Sequence, residues 1–195
     1  SRFNMLVAPP QMLPYVTSGL TGPIGLDVKD NILYVGDYGS YAIKKINTNV
    51  TPFQTSLLDN DLATDIVVDG AYFYFANPDY GKVYVNTILN PSPIGTEIAT
   101  GIVSPSSLLL HDNLLYIADK NQGKIYRIDP NGSSTKPLEI VSGLNQPQSM
   151  VVYNNHLYIA EMGANRIVKL NLSTLNTGAF ENDLSLAIMP NPVQN

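Results

Sequence analysis

Four oxygen-bearing side chains, Asp37, Asn77, Asp119 and Glu161, each close a version of the same five-residue phrase. The phrases are Leu33-Tyr34-Val35-Gly36-Asp37, Phe73-Tyr74-Phe75-Ala76-Asn77, Leu115-Tyr116-Ile117-Ala118-Asp119 and Leu157-Tyr158-Ile159-Ala160-Glu161. Oxygen ligands gathered in a ring are what Ca²⁺ requires, so cation binding is one chemistry open to this column. The other is structural: each side chain accepts hydrogen bonds from amides of the loop it begins, as in an Asx turn. Recurrence in every unit favours the second, because a functional site breaks the symmetry of a repeat.

Other reactive groups are few. The chain has no cysteine, which removes thiol catalysis, thiolate metal sites and disulfides. The two histidines, His111 and His156, fall at the far ends of their units, where no three or four zinc ligands assemble. No serine has a histidine placed to activate it, so no catalytic residue is assigned. The formal charge is -5, and the eleven Lys and Arg are scattered. That composition disfavours nucleic acid and anionic membrane surfaces, which need clustered cations. No apolar run approaches the roughly 20 residues of a membrane-spanning helix, so no membrane insertion is expected. The opening Ser1-Arg2-Phe3-Asn4 leads straight into strand-like sequence and does not read as a signal peptide.

The spacing of the four phrases supplies the architecture. They recur at steps of 40, 42 and 42 residues, and a period near forty filled with short alternating strands signals propeller blades. Each unit reads as four strands. Strand a is largely apolar: Leu26-Asp27-Val28, Ile66-Val67-Val68, Leu108-Leu109-Leu110 and Met150-Val151-Val152. Such runs are expected to be buried on both faces near a propeller axis. Asp30-Asn31, Asp69-Gly70, Asp112-Asn113 and Asn154-Asn155 then make two-residue hairpins into strand b, the repeated phrase. Strand c alternates apolar and polar residues, as in Ile125-Tyr126-Arg127-Ile128, and strand d is weaker. Three units are entered through a Gly-Leu or Gly-Ile pair followed by proline, whereas the second has Asp61-Leu62-Ala63.

The expected fold is therefore all-β, a β-propeller with four repeats over about 19–58, 59–100, 101–142 and 143–172. Residues 11–18 resemble the strand d of the third unit and are expected to close the last blade, hiding two sheet edges. The propeller domain would span 1–175, with a linker and tail over 176–195. The alternative is part of a six-bladed ring.

Within that frame, Gly25, Asp65, Ser107 and Ser149 share one strand a position and are expected to line the tunnel. Asp65 is the lone charge of this column. It is the one metal candidate, for a structural Ca²⁺, and otherwise a hydrogen-bonded core acid. The loops from strand b to strand c vary between blades while the strands match, which is where recognition diversifies. Their residues Tyr38, Asp79, Tyr80, Lys120, Asn121, Gln122, Met162 and Asn165 are the candidate ligand-binding set. Tyrosines beside amides suit a glycan, a peptide or a partner protein.

The unit Leu157-Tyr158-Ile159-Ala160-Glu161-Met162-Gly163-Ala164-Asn165-Arg166-Ile167 resembles the NHL repeat, and the other units match it less fully. That resemblance covers about residues 15–172 and implies a propeller whose relatives include scaffolds, binding modules and metal-dependent lactonases and lyases. The tail Asp183-Leu184-Ser185-Leu186-Ala187-Ile188-Met189-Pro190-Asn191-Pro192-Val193-Gln194-Asn195 is similar to the start of a type IX secretion C-terminal sorting domain, truncated here. It implies a bacterial protein recognised by type IX export machinery and then secreted or held at the cell surface. The function expected from all this is a non-catalytic binding or scaffold propeller. The alternative is a gluconolactonase-like metal-dependent lactonase or lyase using Asp65.

Overall fold

The computed structural model describes Val16 and residues 18–176. The closing strand expected over 11–18 and the tail over 176–195 lie almost wholly outside the described residues. The described chain forms antiparallel sheets and short 3-10 turns. Blade 1 comprises β1 (Pro23–Lys29), β2 (Ile32–Asp37), β3 (Ala42–Asn47) and β4 (Thr55–Asp59). Blade 2 comprises β5 (Asp65–Asp69), β6 (Tyr72–Asn77), β7 (Lys82–Thr87) and β8 (Thr96–Ala99). Blade 3 comprises β9 (Pro105–His111), β10 (Leu114–Asp119), β11 (Lys124–Ile128) and β12 (Leu138–Val141). Blade 4 comprises β13 (Pro147–Tyr153), β14 (His156–Glu161) and β15 (Arg166–Asn171). In each sheet the strands lie side by side in chain order, and the four sheets form a ring. The ring has four blades, not six.

Local chemistry explains the strand ends. The a–b hairpins place Asp30-Asn31, Asp112-Asn113 and Asn154-Asn155 at positive φ, between 47° and 61°. That is the twist a two-residue hairpin needs, and Asn and Asp tolerate it. In blade 2 the register Asp69↔Tyr72 moves the turn to Gly70-Ala71, one residue later than the Asp69-Gly70 reading. Asp69 is thus the last residue of β5.

Three apolar clusters hold successive blades together. Tyr34 of blade 1 packs with Phe73 and Phe75 of blade 2. Tyr74 and Ala76 pack with Leu115 and Ile117, and Tyr116 and Ala118 with Leu157 and Ile159. The period of two explains this: along each strand b, odd and even positions face opposite neighbours. The expectation that every strand a is buried on both faces fails at the ring's seam. Leu26 (59%) and Val28 (62%) of β1, with Val151 (58%) and Tyr153 (66%) of β13, are exposed. By the register, these side chains point into the seam between blades 4 and 1, the one junction without a described apolar cluster.

Phe75 is fully buried. Its ring stacks on Phe73 at 5.8 Å and on Tyr84 at 5.3 Å. Phe75→Ala is expected to cost about 3–5 kcal/mol, on the order of 10 °C in Tm for a domain of this size. Thermal melting measures this, and a shift under about 2 °C would show that the blade 1–2 junction carries little of the fold.

Candidate functional site

The oxygen column at the end of each strand b is buried. Asp37 and Asp119 are 0% exposed, as is Asn77, and Glu161 is 1%. A buried carboxylate must find donors or lose its charge, and each of these finds them, from a set that differs between blades. Asp119 accepts from Asn121 N (3.1 Å) and Gln122 N (3.0 Å) of its own b–c loop. It also accepts from Val103 N (2.7 Å) and Ser104 N (3.2 Å) of the segment that enters the blade. Asp37 accepts from Thr21 N (2.9 Å), Gly22 N (2.7 Å), Ser40 Oγ (2.5 Å) and Lys44 Nζ (2.6 Å). Glu161 accepts from Asn145 N (2.6 Å) and pairs with the Arg166 guanidinium. Blade 2 reaches the same end differently: Asn77 Oδ1 accepts from Asp79 N and Tyr80 N, while its Nδ2 donates to Asp61 Oδ1 at 2.7 Å. Asp61 in turn accepts from Leu62 N (2.8 Å). That exchange accounts for the divergent entry of the second unit. The column fastens loops and does not converge on a cation.

The inner strands enclose a cavity of about 500 Å³, whose lining includes Asp65, Ser107 and Ser149. Gly25 packs against β5 instead: a Cβ there would lie 2.6 Å from Asp65 Cα. Asp65 is the lone charge of its column but not of the cavity, since Asp27 and Asp69 also line it. Sequence reading missed Asp27 because it stands two residues beyond the Asp65 column, among apolar neighbours. Both inner carboxylates bridge blades. Asp27 accepts from Val68 N (2.7 Å) and its own neighbour Val28 N (2.7 Å). Asp65 accepts from Leu108 N (2.8 Å) and Ile66 N (2.9 Å). Burial pushes the Asp65 carboxyl up, and the charge of Asp27 adds to this against the hydrogen bonds from Leu108, Ile66 and Ser107. Ca²⁺ takes six to eight oxygen ligands. Among the described residues no three His, Cys, Asp or Glu are grouped to hold a metal, and both oxygens of Asp65 already accept amides. The residues present do not fit a resident cation.

His111 ends β9 beside Asp112, with Nε2 3.3 Å from Oδ2. His156 begins β14, with Nδ1 2.6 Å from the Asn154 carbonyl. Both lie at the a–b hairpin ends, opposite the b–c loops.

The b–c loops share one face with the entry segments, through bonds such as Lys120 N to Ser104 O and Met162 N to Gln146 O, each 3.0 Å. On that face Asp79, Tyr80, Asn121, Gln122, Met162 and Asn165 are exposed, while Tyr38 and Lys120 are half-buried. Gln122 is partly engaged, its Oε1 accepting from Tyr126 Oη at 2.9 Å. Sequence reading missed Tyr41, whose exposed ring stacks with Tyr38. It follows a glycine-rich stretch three residues past Tyr38, and nothing in its type alone marked it. No helix among the described residues is long and apolar enough to cross a membrane.

No protein-family profile matches this sequence, and no curated protein is similar to it by sequence. Solved structures match by fold. The computationally designed Ika4 protein superposes with TM-score 0.60 at 14% identity, over 83% of this chain and 99% of that one. Hydrazine synthase from Kuenenia stuttgartiensis gives 0.62 at 17%, over 83% of this chain and 49% of that one. A catalytically inactive virginiamycin B lyase from Staphylococcus aureus with quinupristin gives 0.62 at 18%, over 81% and 55%. This chain spans about half the length of those two enzyme chains. At such identities the likeness establishes the propeller fold and no activity.

Asp37 provides a direct test of the clip. Burial opposes its charge, but the Lys44 ammonium, the Ser40 hydroxyl and the Gly22 and Thr21 amides together hold its carboxyl well below the usual carboxylate range. With the folded value depressed, the contribution is complete above the unfolded value near 3.9 and is lost as pH falls below it. Asp37→Asn is expected to cost roughly 3–5 kcal/mol at pH 7. The Tm difference from wild type should narrow on titration toward pH ~2; a pH-independent difference would show that the charge is not what matters.

Proposed function

We propose that this propeller is a non-catalytic binding module that presents its ligand site on the b–c loop face. The ligand is a glycan, a peptide or a partner protein. The observation that carries this reading is the division between scaffold and tips. Asp37, Asn77, Asp119 and Glu161 stand at one position of every blade and are buried, each tied to a neighbouring loop by hydrogen bonds. The exposed tips then differ in every blade: Tyr41 in blade 1, Tyr80 in blade 2, Asn121 in blade 3 and Met162 in blade 4. A rigid frame bearing variable side chains is the arrangement that binding folds use. The cavity acids Asp27 and Asp65 support the same reading, since each accepts a backbone amide of the following blade.

A second reading, a metal-dependent lactonase- or lyase-like enzyme, draws on the raised carboxyl of Asp65 beside Asp27 in an open cavity. The two readings separate on metal dependence. A cation at 100 times its Kd stabilises by about 2.7 kcal/mol, on the order of 5–10 °C in Tm. After exhaustive chelation, the binding module is expected to melt at the same temperature with and without added Ca²⁺ or Zn²⁺. A rise of several degrees that disappears in Asp65→Asn would overturn it in favour of the enzyme.

The NHL kinship and the export route belong to the same proposal. The tail from Asp183 to Asn195, similar to the opening of a type IX sorting domain, supports export of a bacterial protein to the outside of the cell. Protease digestion of intact cells is expected to remove the protein; full protection of the bound pool, with none in the medium, would sink this assignment.

A further inference from the structure

One b–c loop carries a side chain that the repeat does not require. The residue returning each of these loops to strand c is left-handed: Tyr41 (φ 52°), Gly81 (62°), Gly123 (64°) and Asn165 (50°). Glycine and asparagine enter this region readily, whereas the Cβ of a tyrosine crowds the following carbonyl there. In blades 2 and 3 glycine is also enforced by space. A Cβ on Gly81 would lie 2.1 Å from Ile102 O, and one on Gly123 2.0 Å from Leu144 O. Blade 1 has the same backbone yet holds a full aromatic ring. A strained conformation is kept where its surroundings over-determine it, and such positions gather at binding sites.

The surroundings do over-determine it. Tyr41 N donates to Tyr38 O at 3.2 Å, closing the turn. Asp37 holds Ser40 from beneath and ties the loop to Thr21 and Gly22. Gly22 and Gly39 meet so closely that a Cβ on Gly22 would lie 2.9 Å from Gly39 N. On this fixed backbone the Tyr41 ring is 58% exposed. It stacks with Tyr38 at a centroid separation of 6.2 Å and an interplanar angle of 28°. The burial such a ring would gain as a core residue is therefore not the reason for its presence.

We propose that Tyr38 and Tyr41 form a stacking platform for a neutral sugar, an assignment that rests on the binding-module reading and names its ligand class. An aromatic face packs against the C–H face of a pyranose ring, and a preorganised pair loses little conformational freedom on binding. The polar groups that share the face are mainly neutral, Asn121, Gln122 and Asn165, beside Lys120 and the acid Asp79. They offer hydrogen bonds to hydroxyls and no cationic cluster for an anionic sugar. A protein partner needs a continuous apolar centre within about 800 Å² per side. Here Ile24 is the exposed apolar side chain at the start of β1, and Tyr80, Val103 and Met162 stand on separate loops. Peptide capture by strand addition needs an open sheet edge, whereas loops form this face.

Because the chain has twelve tyrosines and no tryptophan, tyrosine emission reports ring stacking directly. The experiment titrates the full chain with cellohexaose, chitohexaose and a proline-rich peptide, and melts each variant. A hexasaccharide is expected to change the emission saturably. Tyr41→Gly and Tyr38→Ala are each expected to weaken that binding about tenfold or more. Tyr41→Gly should leave Tm unchanged or raise it, because glycine relieves the left-handed backbone; a purely structural tyrosine would lower it. The platform is overturned if folded wild type binds neither hexasaccharide, if binding survives both substitutions, or if only the peptide binds. Hexasaccharide binding lost in Tyr80→Ala but intact in Tyr41→Gly would also overturn it, while leaving a binding module whose site lies on another loop.

Discussion

A buried acceptor at the end of each strand b determines where the loops of this ring stand. In blades 1 and 3 its donors come from two segments, the b–c loop that follows it and the entry segment about sixteen residues earlier, as in the Val103 and Asp119 pair. In blade 4 they come from the entry segment and Arg166. An unsatisfied carboxylate in this position would cost far more than a surface one, because water cannot replace the missing donors. Both loops are therefore locked together or the blade does not form. Blade 2 shows that the requirement is for complementary hydrogen bonding and not for a carboxylate as such. There Asn77 donates to Asp61, and the acid has moved from strand b to the entry segment. With the base of every loop fixed in this way, the tips are free to differ without consequence for the fold.

A second set of bonds stitches the blades at the axis. The inner edge of each strand a presents unpaired backbone groups, a liability in any open sheet. Asp27 takes the Val68 amide and Asp65 takes the Leu108 amide of the following blade. Thr64 and Ser106 donate their hydroxyls to the carbonyls of Pro105 (2.8 Å) and Pro147 (2.9 Å). The repeat places Gln148 next in that series, and its Oε1 is buried without a partner among the described residues. Ile24 holds the equivalent place in blade 1 and is exposed. Among the described residues the stitching thus runs from blade 1 to blade 4 and is not continued across the seam, where Leu26, Val28, Val151 and Tyr153 are also exposed. Cohesion in this ring follows chain order.

The period, the strand order and most hairpins were legible because they depend on local rules. Alternation sets which side chains enter a core, and Asp-Asn or Asn-Asn pairs between strands a and b make two-residue turns. The Asx-type role of the oxygen column was legible for the same reason in blades 2 and 3, where Asn77 and Asp119 accept amides of their own b–c loops, whereas Asp37 takes the Ser40 hydroxyl and Glu161 the Arg166 guanidinium. Its second set of donors was not, because a partner sixteen residues away has no local signature. The blade 1–2 junction hides a similar case. Asn86 occupies a position that is isoleucine or leucine in the other blades, and it is buried against Asp59, Nδ2 to Oδ2 at 2.8 Å. Read along the sequence, that asparagine looks like a polar surface residue. The Asp27 bridge and the Tyr41 ring were missed on similar grounds: each depends on what a neighbouring element brings to it, and on a backbone angle that residue type does not declare.

Departures from the repeat separate structural causes from functional ones. Blade 2 lacks the glycine entry, and the Asn77–Asp61 exchange explains it completely. The exposed strand a residues of blades 1 and 4 follow from the seam. Asn86 departs from its column and is matched by Asp59, with Ser92 completing its bonds at 2.8 and 2.9 Å. Tyr41 is the departure that packing does not explain. Its backbone favours glycine, its ring is mostly outside the core, and the loop beneath it is fixed by bonds that do not involve its side chain. A left-handed tyrosine left more than half exposed is what the proposed sugar platform accounts for. The loop face, and not the axial cavity, is therefore where this propeller's specificity is to be sought.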